Sequence, residues 1–246
     1  MRLRDKVVLI TGGGTGVGRA TALKLAAEGA KVAINYSRSE KEAAEVVNEI
    51  MQLGGTAHAY RANVAAEQEV KKLVSDVAAS FGTINGLVNN ASMTTQIVMD
   101  DLDAVTDEVW DSLFRVNVKG MFHCVKAVVP YMKKQQSGVI VNMGSVAGMT
   151  GIGSSIPYAA TKAAIHAMTR SLAIALAPHI RVNSIAPGAI DTRWWAGNEE
   201  KMYELAVNLP LQRISTPDDI AEAILFQLSQ GSVTGQIFVI DNGQTL

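Results

Sequence analysis

A short apolar run, a glycine-rich turn and a helical segment follow one another at the start of the chain. Residues 6–10 read Lys-Val-Val-Leu-Ile, and a β-branched run of this kind predicts a buried strand. Residues 11–18 read Thr-Gly-Gly-Gly-Thr-Gly-Val-Gly, and residues 19–28 have a helical pattern. Because glycines let backbone amides approach a phosphate and a helix N-terminus favours negative charge, the unit predicts a dinucleotide-binding turn. The spacing Gly-x-x-x-Gly-x-Gly differs from the generic Gly-x-Gly-x-x-Gly, so a glycine-rich loop without a ligand stays the alternative.

Strand and helix patterns alternate along the rest of the chain. Further strands are predicted at residues 31–35, 56–61, 86–89, 138–143, 181–185 and 236–240. Helices are predicted at residues 39–51, 65–81, 157–176 and 217–229, with two helical segments between 106 and 136. This alternation predicts a single α/β domain over residues 1–246, with a Rossmann-like, doubly wound parallel sheet of about seven strands and helices on both faces.

Composition and charge argue against several classes of partner. The 246 residues are 48% hydrophobic, enough for one large core, and the net charge is −1. A near-neutral chain argues against nucleic acid or a membrane surface as a partner. The four histidines lack metal-site spacing and the single cysteine, Cys124, lies in an apolar setting, so we expect no metal and no disulfide. Because no long apolar leader stands at its start, the chain is expected to be cytoplasmic.

A tyrosine and a lysine stand four residues apart near the middle of the chain. Pro157 precedes a helical pattern, so Tyr158 and Lys162 are predicted on one helix face. A free tyrosine titrates near about 10, and a fixed positive charge beside it favours the phenolate and lowers that pKa. Ser145 lies upstream, just past an apolar run, where its hydroxyl can hold a substrate oxygen. These residues predict an acid–base site; the alternative is an ordinary pair on a helix surface.

Six motifs, in one order along the chain, carry a family resemblance. They are Thr11-Gly12-x-x-x-Gly16-x-Gly18, Asn89-Asn90-Ala91, Asn117, Ser145, Tyr158-x-x-x-Lys162 and Pro187-Gly188. With these motifs the chain resembles the short-chain dehydrogenase/reductase family over its whole length. Each motif alone is weakly specific, but together they are very specific. The resemblance implies an NAD(P)-dependent oxidoreductase that assembles as a homotetramer or homodimer.

The resemblance also implies a role for each motif residue. Tyr158 would be the acid–base residue, Lys162 would lower its pKa and hold the nicotinamide ribose, and Ser145 would bind the substrate oxygen. Asn117 would position a water that links Lys162 to solvent. The residues implied in cofactor binding lie at the glycine turn, at strand ends and beside Tyr158: Gly12, Gly14, Thr15, Gly16, Val17, Gly18, Tyr36, Ser37, Arg38, Asn63, Val64, Asn90, Ala91, Ser92, Tyr158, Lys162, Pro187, Gly188, Ile190 and Thr192.

The sequence departs from the family pattern at positions near the cofactor. Asn63 replaces an aspartate beside the adenine, and its amide oxygen can still accept a hydrogen bond. Ser92 replaces a glycine; it would be strained if φ is positive there, and otherwise its hydroxyl would approach the cofactor. Arg19 could face a phosphate, although a solvated arginine on the helix surface is favoured.

The end of the second strand bears on the identity of the cofactor. Users of NAD in this family carry an acid where this chain has Tyr36. Ser37 and Arg38 offer a hydroxyl and a permanent cation, which suit a 2′-phosphate. We therefore predict NADP (NADPH) as the cofactor, with NAD use left open and a solvated Arg38 as the alternative.

Residues 189–215 are predicted to form the substrate loop. Thr192 matches the family residue that contacts the nicotinamide carboxamide, and Trp194 and Trp195 follow it. Two adjacent rings can form a lid over an apolar substrate or seal a subunit interface, and the sequence favours neither. Further apolar surface of the substrate pocket is predicted from Met93, Met149 and Ile156.

The predicted reaction is hydride transfer between nicotinamide and a ketone or secondary alcohol. A narrower alternative is a 3-oxoacyl-(acyl-carrier-protein) reductase, which the chain resembles in overall pattern. Such enzymes dock an acidic carrier with arginines on two long helices, and Pro130 and Ile174 stand at two such positions here. Basic charge nearby remains on Lys126, Lys133, Lys134 and Arg170. A non-catalytic dinucleotide-binding scaffold is the alternative from a different class, and the complete catalytic set disfavours it.

The last predicted strand is apolar without alternation, since residues 237–240 read Ile-Phe-Val-Ile. A strand that is apolar on both faces should be covered on both faces, and a sheet edge invites association. Family members cover this strand with the same strand of a symmetry mate, which is a self-complementary twofold contact. The long helices with Asn117 and Tyr158 would form a second interface. We therefore predict a homotetramer, with a dimer as the fallback.

Overall fold

The structure is a computed structural model that describes residues 3–197 and 199–246. These residues form a seven-stranded sheet in which every neighbouring pair is parallel. The strands are β1 (Val7–Ile10), β2 (Lys31–Tyr36), β3 (Thr56–Arg61), β4 (Gly86–Asn89), β5 (Gly138–Met143), β6 (Ile180–Pro187) and β7 (Ile237–Ile240). Their spatial order is β3-β2-β1-β4-β5-β6-β7, which places β7 at one edge.

Helices flank the sheet. They are α1 (Gly16–Ala27), α2 (Glu40–Gln52), α3 (Glu67–Phe81), α4 (Asp107–Leu113), α5 (Met121–Lys134), α6 (Ala147–Thr150), α7 (Ile156–Leu176), α8 (Glu199–Asn208) and α9 (Pro217–Ser229). A π-helix, Phe114–Gly120, joins α4 to α5, and a 3-10 turn, Arg193–Trp195, precedes α8. In the part of the chain that the structure describes, no helix has both the length and the apolar character needed to cross a membrane.

The strands bury side chains on both faces of the sheet. In β1, Val8 and Ile10 pack in the layer of α1, α2 and α9, whereas Val7 and Leu9 pack in the layer of α3, α5 and α7. Burial on both faces explains the continuous apolar run of β1 and confirms the predicted doubly wound parallel sheet. Cys124 is buried in the second layer, where burial raises the pKa of its thiol to about 12.

The strand order reverses between β1 and β4. From β1 the chain moves outwards to β2 and β3, then returns to β4 on the other side of β1. The register places Ile10 beside Val88, so the turn after β1 and the loop after β4 leave the sheet side by side. In open α/β sheets a reversal of this kind leaves a crevice at the carboxyl ends of the strands, where ligands bind.

Residues 189–215 are more ordered than the predicted loop. They contain the 3-10 turn and α8, which the sequence analysis missed. The helix is rich in good helix formers, and it is anchored by the buried side chain of Met202, with Leu209 buried just beyond its end. Two buried anchors among the described side chains give only a weak apolar pattern, so the sequence does not predict this helix.

Candidate active site

The glycine turn after β1 is shaped by contacts that leave no room for side chains. Gly12 has a φ of +63°, a conformation that favours glycine. A Cβ atom on Gly18 would lie 2.2 Å from the Gly12 carbonyl oxygen, and one on Gly14 would lie 3.0 Å from the backbone nitrogen of Ala43. Thr15, the N-cap of α1, makes no side-chain capping hydrogen bond within the described residues. The turn therefore offers the first amides of α1 to an anionic ligand, as a pyrophosphate cradle does.

Thr11 and Asn90 join this turn to the end of β4. The Thr11 hydroxyl accepts hydrogen bonds from the backbone amides of Asn90 and Ala91, each at 3.0 Å. The Asn90 side-chain amide donates to the carbonyl oxygens of Thr11 and Gly12, again at 3.0 Å. Two predicted cofactor residues, Asn90 and Ala91, thus brace the turn. The sequence analysis gave Thr11 no role of its own, although its place directly before Gly12 was a usable signal.

Tyr158, Lys162 and Ser145 come together where β5 ends and α7 begins. Ser155 is the N-cap of α7, and its Oγ accepts a hydrogen bond from the backbone amide of Tyr158 at 3.3 Å. The Ser145 hydroxyl lies close enough to the Tyr158 hydroxyl to interact with it by hydrogen bonding, which lowers the pKa of the phenol. Lys162 lies one turn further on, with Nζ 5.4 Å from the centroid of the Tyr158 ring and 2.9 Å from the Met143 carbonyl oxygen, to which it donates. The structure thus brings the three predicted residues into one group.

Burial dominates the electrostatics of this group. Lys162 is 1% exposed, and its removal from water lowers the pKa of its ammonium to about 7. Burial raises the pKa of the Tyr158 phenol to about 12, and the hydrogen bond with Ser145 offsets only part of that shift. The pKa shift of Tyr158 is opposite in direction to the one expected from the sequence. Burial disfavours the charged form of a side chain, which is the phenolate of Tyr158 and the ammonium of Lys162. In the protein alone Tyr158 keeps its proton at neutral pH, as a proton donor to a carbonyl must.

Asn117 lies in the π-helix, a kind of segment that is frequent at functional sites. Its Oδ1 accepts hydrogen bonds from the Met93 backbone amide at 2.9 Å and from the Ser92 hydroxyl at 3.1 Å. Its Nδ2 donates to the Met93 carbonyl oxygen at 3.0 Å and to the Thr161 hydroxyl at 3.2 Å. These four bonds fill the capacity of the amide, so the side chain ties the loop after β4 to α7. The predicted water-positioning role would therefore fall to the main chain of Asn117.

Two departures from the family pattern have simple structural outcomes. Ser92 has no positive φ, so its backbone is unstrained, and its hydroxyl donates a hydrogen bond to Oδ1 of Asn117 at 3.1 Å; its approach to the cofactor stays a prediction. Arg19 forms an ion pair with Glu49 at 2.5 Å across α1 and α2. Arg19 is therefore occupied at the protein surface, in line with the interpretation that the sequence favoured.

The adenosine side of the crevice lies where β2 and β3 end. Tyr36 is half-buried, and burial together with a hydrogen bond to the Glu40 carboxylate raises the pKa of its phenol. Ser37 and Arg38 are exposed, and Arg38 makes no hydrogen bond or ion pair with any residue in 3–197 or 199–246. The Oδ1 of Asn63 accepts a hydrogen bond from a backbone amide two residues on, at 3.0 Å. One lone pair of that oxygen and the Nδ2 group stay available for an adenine.

Backbone contacts place the remaining predicted cofactor residues. Pro187 ends β6, and its carbonyl oxygen accepts a hydrogen bond at 2.9 Å from an amide just after β5. The Gly188 amide donates to the end of β7 at 3.0 Å, and Ile190 forms a parallel bridge with Ser215. Val64 is buried beside the end of β3. These backbone contacts fix the position of residues 187–190, the segment that leads to Thr192.

Trp194 lies against Tyr158. Their ring centroids are 6.2 Å apart and the rings meet edge to face, with 69° between their planes. A Cβ atom on Gly16 would lie 3.6 Å from Cγ2 of Thr192, so the same segment also approaches the glycine turn. Met93 packs against the small apolar cluster that contains Tyr158. The contact with Tyr158 favours a lid over an interface as the role of Trp194.

The other residues predicted for the substrate pocket are less directly placed. Ile156 is half-buried at the first residue of α7, and Trp195 is half-buried in the 3-10 turn. Met149 lines a cavity of about 530 Å³ between α7 and the start of β7, with His166 and Arg170. Its contact with the substrate stays a prediction. Within the described ranges, no group of three or more His, Cys, Asp or Glu side chains is arranged to hold a metal ion.

Comparison with known proteins identifies the family. A family model described as short chain dehydrogenase matches residues 6–202. The chain belongs to this family. This short-chain dehydrogenase is 42% identical over 247 residues to the 3-oxoacyl-[acyl-carrier-protein] reductase FabG of Thermotoga maritima, an alignment that covers 99% of both chains. It is 60% identical over 129 residues to the short-chain dehydrogenase/reductase homolog YusR of Bacillus subtilis, which covers 52% of this chain and all of YusR.

Solved structures agree with this assignment. Levodione reductase superposes with a TM-score of 0.92 at 33% identity, covering 98% of both chains. A short-chain dehydrogenase/reductase from Burkholderia xenovorans superposes with a TM-score of 0.92 at 34% identity, covering 97% of both chains. This short-chain dehydrogenase is therefore an oxidoreductase that acts on C=O or CH–OH groups with a nicotinamide cofactor.

Proposed function

We propose that this short-chain dehydrogenase is an NADPH-dependent reductase of ketones that can also oxidise secondary alcohols. The observation that carries the proposal is the group formed by Tyr158, Ser145 and Lys162. Tyr158 is a neutral phenol, lies within hydrogen-bonding reach of Ser145 and stands beside the buried Lys162. A phenol of this kind, where β5 ends and α7 begins, can give its proton to a carbonyl oxygen.

Each residue of the group has a distinct task in this reaction. Ser145 holds the carbonyl oxygen by a hydrogen bond, and Tyr158 transfers its phenolic proton to that oxygen. A bound NADPH supplies the hydride that the carbonyl carbon receives, which completes the alcohol. Lys162 stabilises the phenolate left on Tyr158, since an opposite charge a few ångströms away favours the ionised form. The phenolate regains its proton from solvent by way of Lys162 and the main chain near Asn117.

The residues present fit a dinucleotide. Added side chains on Gly14 or Gly18 would fill the cradle at the glycine turn, so the space is kept for a close backbone approach. Asn63 retains hydrogen-bonding capacity for an adenine, and Lys162 would hold the nicotinamide ribose. Tyr36 stands where an acid would repel a 2′-phosphate, and Arg38 offers a cation to that phosphate, which favours NADPH over NADH.

Replacement of Arg38 tests the choice of cofactor. We expect Arg38→Ala to weaken NADPH binding by roughly 1.5–3 kcal/mol, which is the range for a charge-assisted contact to phosphate. The guanidinium is exposed and unpaired among the described residues, so its removal should leave NADH binding almost unchanged. Fluorescence titration of both cofactors measures the two dissociation constants.

Arg19→Ala is the matched control for this experiment. Arg19 is also an arginine near the glycine turn, but its ion pair with Glu49 occupies it. Arg19→Ala should lower the affinities for NADPH and for NADH only slightly and to the same extent. An equal loss of NADPH and NADH affinity in Arg38→Ala would show that Arg38 does not bind the 2′-phosphate.

A second candidate function is that of a 3-oxoacyl-[acyl-carrier-protein] reductase. It is favoured by the 42% identity to the FabG of Thermotoga maritima over nearly the whole chain. Against it, Ile174 is exposed on α7 where such enzymes carry an arginine, and Lys126 on α5 is paired with Glu67 at 2.9 Å. A non-catalytic dinucleotide-binding scaffold is disfavoured, because such a scaffold does not need a proton donor buried at the crevice.

A substrate panel tests the proposed function. The purified protein would be supplied with NADPH or NADH and a range of ketones, with the reverse reaction followed on secondary alcohols. We expect NADPH oxidation with at least one ketone and a higher kcat/KM with NADPH than with NADH. Cofactor binding without turnover of any carbonyl or alcohol would support the scaffold instead. A cytoplasmic location stays a prediction.

The proposal includes a homotetramer. The strand β7 lies at the edge of the sheet, and its four residues are only half-buried in the single chain. The Phe238 ring packs edge to face on Phe226, which is itself exposed. A second copy of this strand and its neighbouring α9 would cover both rings in a twofold contact. The faces of α5 and α7 would provide the second interface.

Replacement of Phe238 tests this assembly. We expect Phe238→Asp to split the tetramer, because a carboxylate buried in an apolar contact without a partner is strongly disfavoured. Light scattering would measure the mass, which should be four times 26.1 kDa in the parent. The matched control is Leu53→Asp, which places the same charge at an exposed apolar residue beyond α2. A parent mass of one chain would contradict the prediction.

A further inference from the structure

Exposed apolar side chains surround the Tyr158 side of the crevice. Val98 and Leu102, in the loop after β4, are 72% and 66% exposed, and Ile152, after α6, is 72% exposed. Trp194 is 46% exposed and lies on the Tyr158 ring at the same opening. Val98, Leu102, Ile152 and Trp194 are named the apolar rim here. Large apolar side chains exposed beside a candidate catalytic group are suited to an interaction or to ligand entry.

Hydrogen bonds hold the two loops of the apolar rim together beside Tyr158. The Ile97 amide donates to the Ser154 carbonyl oxygen at 2.8 Å, which joins the loop after β4 to the segment after α6. A Cβ atom on Gly153 would lie 3.3 Å from the Tyr158 ring. Two rim residues are the direct neighbours of Ile97 and Gly153 in the chain. The rim is therefore fixed at the entrance to the site.

Acidic side chains border the apolar rim. Asp100, Asp101 and Asp103 lie in the same loop as two of the rim residues, and all three are exposed. The Oδ1 of Asp101 accepts a hydrogen bond from the Ala104 amide at 3.2 Å. None of the three carboxylates forms an ion pair with another described residue. The entrance thus combines an apolar surface with three carboxylates against the exposed cation of Arg193 beside Trp194, and this net negative charge repels an acidic partner.

We infer that this entrance selects a neutral, apolar ketone and disfavours a ketone that is attached to an acidic carrier protein. The inference rests on the proposed function, because it names the substrate class of that same site. An apolar chain that extends from the carbonyl past Tyr158 would lie against Trp194 and Ile152 and remove their surface from water. A carrier docked at the entrance would bring its own carboxylates against the acidic loop.

The sharpest test uses one reacting group on two carriers. The same 3-oxoacyl group is offered as its thioester with N-acetylcysteamine, which is small and neutral, and with acyl carrier protein. We expect kcat/KM for the small thioester to equal or exceed that for the carrier form at low salt. For the carrier-bound substrate, kcat/KM should rise with salt concentration, because salt screens the repulsion between the carrier and the acidic loop. Among small thioesters, kcat/KM for the 3-oxooctanoyl compound should exceed that for the 3-oxobutanoyl compound by at least about tenfold, because its longer chain reaches the apolar rim.

Variants separate the charge from the apolar surface. Replacing the three aspartates by asparagine (Asp100→Asn, Asp101→Asn and Asp103→Asn) should raise kcat/KM for the carrier form by about fivefold or more and leave the small thioester unchanged. A control removes equal charge from surfaces away from the entrance, with Glu28→Gln, Asp76→Asn and Glu222→Gln. Val98→Ser combined with Ile152→Ser should reduce the ratio of kcat/KM between the 3-oxooctanoyl and 3-oxobutanoyl thioesters from about tenfold to within about twofold.

The possible outcomes distinguish this inference from the function on which it rests. A carrier-bound substrate that reacts more than about tenfold faster than the small thioester would overturn the inference and leave the reductase function standing. NADPH oxidation with no carbonyl compound at all would overturn the proposed function and the inference together. If the double serine variant splits the assembly in light scattering, the rim is a contact between subunits and the inference is also overturned.

Discussion

Tyr158→Phe is expected to lower kcat by at least about 10²-fold, the scale of acid–base catalysis, while NADPH affinity stays nearly unchanged. The substitution keeps the ring, and with it the edge-to-face contact with Trp194 and the position 5.4 Å from the Lys162 Nζ. It removes only the hydroxyl that carries the proton and bonds Ser145. Steady-state NADPH oxidation with the best ketone measures kcat, and fluorescence titration measures NADPH binding.

The same change at an unrelated tyrosine is the control. Tyr131→Phe removes a phenolic hydroxyl from α5, outside the group around Ser145. It should leave kcat within about twofold of the parent, because Tyr131 packs against the core under α5 and not against Ser145 or Lys162. Turnover by Tyr158→Phe within a few-fold of the parent would rule out Tyr158 as the proton donor.

Lys162→Met should lower activity without lowering the free energy of unfolding. We expect kcat to fall by about 10²-fold or more, because nothing then stabilises the Tyr158 phenolate. Burial of the ammonium lowers its pKa from 10.5 to about 7, and each pKa unit corresponds to about 1.4 kcal/mol of destabilised charge. Methionine avoids that cost, although the Met143 carbonyl loses its donor, at about 1–3 kcal/mol. The variant should therefore be as stable as the parent, or more stable, at pH 7.

The pH dependence of unfolding checks the same assignment. Between pH 7 and 10.5 the unfolded chain binds more protons at Lys162 than the folded chain does, so this residue makes stability rise with pH. That contribution should vanish in Lys162→Met. His166 also makes stability rise with pH, but between about pH 4 and pH 6.5. Burial and the nearby charges of Lys162 and Arg170 lower its pKa from 6.5 to about 4. Urea unfolding at pH 7 and pH 9, in parent and variant, measures the difference. An equal rise in both proteins would contradict the lowered pKa of Lys162.

The hydrogen-bond partners of Asn117 and the helix α8 are two features that the sequence did not predict. The position of Asn117 was found from its motif, but its amide is filled by partners from two other elements, including Thr161 on α7. No spacing within the π-helix indicates those partners. The helix α8 was missed because Met202 is its one buried side chain among those described, which leaves a weak apolar pattern. The contacts of Asn117 join residues that are far apart in the chain.

The sequence by itself determined the parallel sheet, the glycine turn after β1 and the grouping of Tyr158 and Lys162 on one helix face. These features follow from local rules: apolar periodicity, the space that glycine leaves, and the i, i+4 geometry of a helix. Only the tertiary structure decided the direction of the pKa shifts and the place of Trp194 on Tyr158. Burial and long-range contacts set these properties, because desolvation depends on everything that surrounds a side chain and not on its neighbours in sequence.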